Sequence, residues 1–324
     1  MASSRMGWIG ALALALGSAA AGPALAAGFP DHTVKIVVPF SPGGSSDITA
    51  RLVAEKMSEQ WKEPVIVENR AGAGTTIGAA YVAAAAPDGY TLLLVGPGTH
   101  ATSSALYKDL SYDAVKSFSA VGMIGRAPFA IVVNASSDIK TMKDLIGRAR
   151  SKPEGVSYSS SGAGAGPHLV TEILARATGV KFLHVPFKGS SLATTALFAG
   201  QVDFSTADAS AVQYVKTGKM RALAVTTERP SPVFPGVPPI AETVPGFSYP
   251  LTVGLLAPAG TPREVMAELN RALNRALADE AVKTRLFSLG FEPAPMTPEQ
   301  FQAFMEGEVQ RYAKIVKEIG LKLN

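Results

Sequence analysis

The stretch VVPFSPGGSSDITARL, residues 37–52, contains the pattern on which the fold is built. An apolar run ends at Pro39, seven small or turn-forming residues follow from Ser41 to Asp47, and a helical pattern then begins. The start of a helix leaves about four N–H groups without an intrahelical partner and carries about half a positive charge. The stretch therefore predicts a strand, a loop and a helix, with a loop that can bind an anion without an arginine.

The rest of the chain repeats this order. Strand-like apolar runs lie at residues 34–39, 65–68, 91–95, 130–133, 156–159, 181–185, 202–205 and 221–226. Helical patterns separate many of them, at 48–61, 76–86, 167–178 and 191–199, with a further helix ending at Gly218. Strands that alternate with helices of this length indicate βαβ units and largely parallel sheets. For 324 residues we expect two α/β domains.

Helix-start signals mark three further helices. Thr141 with Asp144 predicts one helix start, and the sequences beginning at Thr261 and Thr297 predict capping boxes with Pro at the first helical position. Residues 229–250 contain seven prolines and predict a surface connection.

The first 26 residues predict an export signal. Arg5 is followed by an apolar run to about Ala21 and by ALA at 24–26, so we expect an exported protein with cleavage after Ala26. No cysteine follows the apolar run, which excludes a lipid anchor on a mature N-terminal cysteine. The chain has no Cys at all, which excludes disulfides and thiolate chemistry, and its net charge of +4 is spread without a basic tract, which argues against a nucleic-acid partner.

A second loop shares the chemistry of the first. SSSGAGAGPH, residues 159–168, also lies between a strand and a helix and is rich in glycine and small residues. In either loop the glycines could simply make a tight turn. Two such loops in matching positions of two α/β domains favour a ligand site, because ligands of parallel sheets bind at the carboxyl ends of the strands.

Sequence templates for catalysis, cofactors and metals do not match. GAGAG at 162–166 is not the dinucleotide motif, and phosphate-loop, nucleophile-elbow and zinc-protease motifs are absent from the sequence. We therefore expect no enzyme activity, no cofactor and no metal. The histidines at 32, 100, 168 and 184 show no metal spacing and are interpreted as structural, with His168 left open as a ligand contact.

Three further polar residues allow two interpretations each. Asp47 caps its helix, contacts a ligand, or does both. Asp208 follows a strand and either caps the next helix or contacts a ligand. Lys188 is either solvated or supplies charge to the site.

Eight stretches in series resemble the Bug family of periplasmic solute receptors of tripartite tricarboxylate transporters. They are VPFSPGGSSDITARLVAEKM, PVIVENRAGAGTTIGA, APDGYTLLL, SGAGAGPHL, HVPFKG, GQVDF, GKMRALAVTT and LLAPAGTP. The resemblance covers the chain from about residue 30 to its end. It implies an α/β, two-lobed periplasmic binding protein fold (Venus-flytrap, type II-like), each lobe having a mixed, mostly parallel sheet flanked by helices.

The resemblance also implies the site. In this family two strand–helix loops, one per lobe, bind a ligand carboxylate, and the ligands are dicarboxylates, tricarboxylates, amino acids or aromatic acids. The implied ligand-binding residues are Phe40, Ser41, Gly43, Gly44, Ser45, Ser46 and Asp47 in one lobe, Ser161, Gly162, Ala163, Gly164 and Ala165 in the other, and Thr99 and His100 after the strand at 91–95. Asp208 completes the set of candidate site residues. One lobe would comprise residues 29–128 and 249–324, and the other residues 129–248.

Some positions depart from the family pattern. Ala165 stands where relatives often have Ser or Thr, Ser103 replaces an Asn, and LTVG at 251–254 lacks a Trp. The expected function is a receptor that delivers a small carboxylate to the membrane permease subunits of the transporter. A ligand-sensing subunit of a signalling system and a hydrolase using Ser45 or Ser46 are the alternatives.

Overall fold

The computed structural model describes residues 28–320 except residues 108, 154, 164 and 188, and this part of the chain forms two β-sheets covered by helices. The strands are β1 (Val34–Val38), β2 (Val65–Asn69), β3 (Thr91–Val95), β4 (Phe118–Ala127), β5 (Ala130–Asn134), β6 (Ser157–Ser160), β7 (Leu183–Pro186), β8 (Phe204–Ala207), β9 (Met220–Val225), β10 (Leu251–Pro258) and β11 (Glu292–Pro293). The helices are α1 (Ser45–Trp61), α2 (Thr76–Ala83), α3 (Pro97–Leu106), α4 (Met142–Ser151), α5 (Gly166–Thr178), α6 (Ser190–Phe198), α7 (Val212–Lys216), α8 (Arg263–Ala278), α9 (Glu280–Ser288) and α10 (Pro298–Ile319). In the described ranges none of these helices has the length and apolar character needed to cross a bilayer. The expected leader, residues 1–26, lies outside the described residues.

The two sheets use different parts of the chain. The first sheet has the strand order β11-β4-β10-β3-β1-β2, and the second has the order β7-β6-β8-β5-β9. We call the parts of the chain around them the first and second lobes. The chain leaves the first sheet at Ala127, enters the second at Ala130, leaves it at Val225 and returns at Leu251. The exact lobe limits expected from the sequence stay a prediction.

Both sheets are mixed, and less parallel than expected. The strand β1 runs parallel to β2 and β3, and β6 runs parallel to β7 and β8. The strands next to the crossings between the lobes run the other way, since β10 is antiparallel to β3 and β4, and β5 is antiparallel to β8 and β9. The parallel pairs put the carboxyl ends of β1 and β3 at one edge of the first sheet and those of β6 and β8 at one edge of the second.

Each sheet is buried on both faces. On the first sheet, Ile36 and Leu94 pack with α1, α8 and α9, whereas Val37 and Leu93 pack on the opposite face with α2 and the start of α10. The second sheet divides its apolar side chains in the same way between two clusters. Side chains on a strand alternate between the two faces, so burial on both faces produces the continuous apolar runs seen in the sequence.

Two long strands of the first sheet, β4 and β10, and the helix α3 were not predicted. Both strands contain glycine, which weakens a strand pattern, and the structure shows why glycine is needed. A Cβ on Gly254 would lie 2.3 Å from Phe301 Cζ, and a Cβ on Gly122 would lie 2.9 Å from Asn270 Nδ2. Helices α10 and α8 therefore pack directly on the strand backbone.

Two of the predicted helix starts are confirmed and one is wrong. Thr141 and Thr297 form capping boxes at α4 and α10. Thr261 is not an N-cap, since α8 begins one residue later than expected, after Pro262 in an extended conformation (ψ 145°). The Thr261 hydroxyl instead donates to the Pro258 carbonyl at 2.8 Å.

The proline-rich segment is only partly a surface connection. Its apolar side chains Val233, Phe234, Ile240 and Phe247 are buried in the core of the second lobe. The expectation of a surface connection is therefore wrong for these side chains, because the prolines shape a backbone that still packs against the sheet.

Candidate functional site

The candidate site starts at the carboxyl ends of β1 and β3. These strands are neighbours, with Val37 opposite Leu93, so the loop after β1 and the turn after β3 lie side by side. A Cβ on Gly96 would meet Phe40 Cζ at 3.6 Å and Thr99 Oγ1 at 3.7 Å. Two expected site residues, Phe40 and Thr99, are thus brought together although they are far apart in sequence.

The loop after β1 presents backbone rather than side-chain groups. Ser41, Gly43, Gly44 and Ser45 are exposed, and Ser46 is half-buried. Gly43 has φ +80°, a conformation that glycine adopts readily, and Gly44 is the N-cap of α1 without a side-chain hydrogen bond. The first turn of α1 therefore keeps N–H groups available for an anion.

Asp47 is buried beneath this loop and holds it in place through hydrogen bonds. We call Asp47 with its hydrogen bonds the Asp47 brace. It is 3% exposed, and its carboxylate accepts the Gly43 N–H at 2.9 Å, two bonds from Arg51 at 3.0 and 3.1 Å, and one from Asn69 Nδ2 at 2.9 Å. Asn69 Nδ2 also donates to the Phe40 carbonyl at 3.1 Å. Burial by itself would raise the pKa of Asp47, but the donors from Arg51, Gly43 and Asn69 outweigh it and lower that pKa. Asp47 is thus an anion that fixes both ends of the loop.

Arg51 and Asn69 are residues of the site that sequence reasoning missed. Arg51 Nη2 also donates to Asn69 Oδ1 at 3.1 Å, so the three side chains form one network. The helical spacing of Asp47 and Arg51, i and i+4, was a signal for this pair. Asn69 lies at the end of β2, and only the pairing of β2 with β1 brings it to the loop.

The second loop follows β6 and is anchored by hydrogen bonds of the Ser160 side chain. Ser160 Oγ lies 2.7 Å from His184 Nε2, with which it shares a hydrogen bond, and it accepts the Gly162 N–H at 3.3 Å. The His184 ring stacks on His168 with 4.1 Å between ring centroids. Burial, and secondarily the neighbouring His168, lower the pKa of His184 to about 4, so the ring is neutral at physiological pH.

The remaining expected residues of the second lobe lie at the same sheet edge. Ser161, Gly162 and Ala165 are half-buried and Ala163 is exposed, with Ala165 serving as the N-cap of α5 without a side-chain bond. Asp208 follows β8, the parallel neighbour of β6, and accepts a 2.9 Å bond from Ser190 Oγ in the first turn of α6. It therefore joins two elements of this edge. Gly164 and Lys188 lie outside the described residues.

A small cavity of about 30 Å³ lies between the two lobes; of the expected site residues Thr99 lines it, whereas the described residues of the loops at 41–47 and 159–165 do not. The first turn of α3 (Gly98 and Thr99) lines it from the first lobe, and Gly166 at the start of α5 lines it from the second. The strand β10 contributes Thr252, which is 4% exposed and whose Oγ1 is buried without a hydrogen-bond partner among the described residues. A cavity of this size admits about one water molecule or one small polar group. Two helix N-termini, one from each lobe, thus converge on one space.

His100 does not take part in this convergence through its side chain. Its ring is 2% exposed, bonds the Ala114 carbonyl at 3.0 Å and packs against Tyr112 and Phe118. The expectation that His100 contacts ligand fits only its backbone, because the ring is part of the first lobe's core. Burial, only partly offset by the Ala114 carbonyl, lowers the pKa of His100.

The helices at the two sheet edges begin without side-chain caps. The helices α1, α3, α5 and α6 follow β1, β3, β6 and β7, and each begins after Gly or Ala with no side-chain cap. Of the helices that begin elsewhere, α4, α9 and α10 are capped by Thr141, Asp279 and Thr297, whereas α8 has no side-chain cap. A side-chain cap would occupy the N–H groups that an anion needs, so the arrangement can bind a carboxylate through backbone donors.

The described residues contain no arrangement suited to a metal ion or to a serine nucleophile. No group of three or more His, Asp or Glu in these ranges is placed to bind a metal. No His–Ser hydrogen bond at Ser45 or Ser46 occurs among the described side chains, where the histidine contact found is with Ser160.

Comparison with known proteins finds relatives over most of the chain. Residues 49–321 match the family model of TctC, the tripartite tricarboxylate transporter family receptor. The protein BugT of Bordetella pertussis is 35% identical over 306 residues, which cover 94% of each chain.

Solved structures show the same fold at similar identity. A structure of R. palustris Rpa4515 with adipate has a TM-score of 0.77 at 34% identity and covers 91% of this chain and 99% of that one. A structure of MatC (Rpa3494) from Rhodopseudomonas palustris with bound malate has a TM-score of 0.73 at 34% identity, covering 89% and 100%. The relatives are solute-binding receptors and not enzymes. The expected fold class is confirmed.

Proposed function

This chain belongs to the TctC family of tripartite tricarboxylate transporter receptors, and we propose that it binds a small organic carboxylate between its two lobes and delivers it to membrane permease subunits. The expected resemblance to the Bug receptors is thereby confirmed. Solute binding is the function of the family. The ligand class, the permease partner, the periplasmic location and cleavage after Ala26 are parts of the proposal.

One observation carries the proposal: helix N-termini from both lobes, at Gly98–Thr99 and Gly166, face a common cavity without side-chain caps. A carboxylate placed there accepts N–H groups from both lobes at once. Hydrogen bonds to a charged group contribute about 1.5–3 kcal/mol each, so the three N–H groups of Gly98, Thr99 and Gly166 together with donors from the two glycine-rich loops support roughly micromolar affinity after the cost of ordering. The relatives with adipate and malate support the same class of ligand.

Closure follows from the position of the donors. A ligand that bonds both lobes binds the closed arrangement more tightly than an open one and shifts the population toward it. The Asp47 brace and the Ser160–His184 bond hold the two loops in place before binding, which reduces the ordering cost.

A thermal-shift screen of the mature chain tests the ligand class. Adipate, malate and other di- and tricarboxylates, amino acids and aromatic acids are compared with their methyl esters or amides, which lack the charge. A ligand at about one hundred times its Kd stabilises the folded chain by about 2.7 kcal/mol, and the neutral analogues should not. No shift with any acid, or equal shifts with the esters, contradicts the proposal.

Two serine variants separate receptor from hydrolase. Ser45→Ala and Ser46→Ala remove hydroxyls but leave the backbone donors, so ligand affinity should change by less than about tenfold. Turnover of a bound acid that disappears in either variant would favour the hydrolase. Delivery is tested by uptake of a labelled ligand in cells with and without the receptor gene, since uptake unaffected by its loss contradicts a transport role.

A further inference from the structure

A second, larger concavity lies on the first lobe, away from the candidate ligand site. It is a groove of about 980 Å³ along α8, closed on the other side by the turn that starts α10 at Thr297–Glu299. Every lining residue belongs to the first lobe, so movement of the lobes leaves the groove intact. We call it the α8 groove.

The charge of the α8 groove is strongly one-sided. Three arginines line it, Arg263, Arg271 and Arg275, against one acid, Glu299. Neither Arg263 nor Arg275 has an ion-pair partner among the described residues, and Arg271 pairs with Glu268 of its own helix. Glu268 is held toward α1, where it accepts a 2.9 Å bond from Trp61 Nε1. The groove therefore presents cationic side chains over a floor that includes Met266 and Ala267.

The polar residues between the arginines are held in place. Asn274 Nδ2 donates to Asn270 Oδ1 at 3.0 Å, and Asn270 Nδ2 donates to the Val121 and Met296 carbonyls of the first lobe. The lining of the groove is therefore fixed on the first lobe, and an occupant should offer negative charge to its arginines.

We propose that the α8 groove is a docking site for an acidic peptide segment of a partner protein. Carboxylates of such a segment pair with Arg263, Arg271 and Arg275. An anionic lipid surface fits less well, because the arginines line a concave groove between α8 and the turn at Thr297–Glu299 and not a flat face. The lining runs the whole length of α8, Arg263 to Ala278, about 24 Å at 1.5 Å per residue, which about seven extended residues span.

Fluorescence anisotropy with the mature chain tests this docking site. The probe is a fluorescein-labelled peptide of about seven residues alternating Glu and Leu, and the matched peptide has Lys for Glu. The acidic peptide should bind at low salt and weaken as salt rises, and the basic peptide should not bind. Equal binding of both peptides, or of neither, overturns the proposal.

Charge-reversal variants locate the binding. The double substitution Arg271→Glu and Arg275→Glu should raise the Kd of the acidic peptide by at least about tenfold. The control is Arg126→Glu with Arg229→Glu, which changes the net charge equally at exposed arginines outside the groove and should leave affinity within about twofold. Equal weakening by both pairs shows non-specific attraction and overturns the proposal.

Two further measurements separate peptide docking from a membrane contact and from the proposed receptor function. If phosphatidylglycerol vesicles bind wild type but not the groove variant while the peptide binds neither, the groove is a membrane contact and the proposal fails. The assay needs no carboxylate ligand, and the groove variant should keep the ligand-induced thermal shift of wild type. Failure of peptide docking is thus distinct from failure of the proposed receptor function.

Discussion

Replacing Asp47 by Asn tests the brace beneath the first loop. The substitution keeps shape and volume but turns one carboxylate oxygen into an NH₂ group. Both oxygens only accept in the structure: Oδ2 from the Gly43 N–H and Arg51 Nε, and Oδ1 from Arg51 Nη2 and Asn69 Nδ2. Whichever way the amide turns, its NH₂ faces two donors, so two of the four hydrogen bonds are lost.

The magnitude follows from the partners. One lost bond joins the buried carboxylate to a neutral donor, Gly43 or Asn69, and costs about 1.5–3 kcal/mol. The other joins it to Arg51, whose side chain is 52% exposed, so that water screens the pair to about 0–1 kcal/mol. We expect Asp47→Asn to lower the free energy of unfolding by about 2–4 kcal/mol and the Tm by about 4–10 °C.

Calorimetry of ligand-free protein as a function of pH is the assay. The folded-state pKa of Asp47 is lowered, so its stabilisation is present above the unfolded pKa of about 3.9 and is lost as pH falls through the folded value. The difference between wild type and variant should therefore persist at pH 5–7 and shrink only in stronger acid. Ligand affinity should fall as well, because the loop loses either the bond at Gly43 or the bond that fixes Asn69 beneath Phe40.

Asp109→Asn, at an exposed carboxylate, is the matched control and should change neither quantity. If Asp47→Asn lies within about 0.5 kcal/mol of wild type at pH 7, the brace is not a stabilising feature and the reasoning fails. If stability falls but ligand affinity does not, the loop is not part of the binding site.

Three further predictions concern the scaffold. Gly254→Ala should lower the free energy of unfolding in urea by about 1–3 kcal/mol or more, since the new Cβ would lie 2.3 Å from Phe301 Cζ. The control Gly147→Ala, at an open helical position, should be neutral or stabilising by up to about 1 kcal/mol. Equal effects of the two substitutions contradict the packing argument. Thr297→Ala should lower the free energy of unfolding by about 1 kcal/mol because it removes the cap of α10, and Thr297→Ser should retain most of that stability. A Ser variant no more stable than the Ala variant argues against capping. His184 has a folded pKa of about 4, below the unfolded value of about 6.5, so its stabilisation is present above pH 6.5 and lost as pH falls toward 4, by at most about 3 kcal/mol. His184→Gln should flatten the Tm profile in that window, and an unchanged profile would remove His184 as its source.

The local elements of the fold could be read from the sequence because their causes are local. The apolar runs of β1 and β3, and the caps at Thr141 and Thr297, depend on residues within one turn or one strand of each other. The strands β4 and β10 could not be predicted in this way. Their glycines are explained by helices that pack on the strand backbone, and those helices lie far away in sequence.

The candidate site shows the same division. The two glycine-rich loops, and the Gly and Ala residues that leave their helices uncapped, are properties of the sequence, since backbone N–H groups at a helix start need no distant partner. Strand pairing decided that Asn69 reaches Asp47, and the packing of the lobes decided that the turns at Thr99 and Gly166 face one cavity. The chain encodes its donors locally, but their convergence depends on sheet register and lobe contacts that arise only when distant segments pack together.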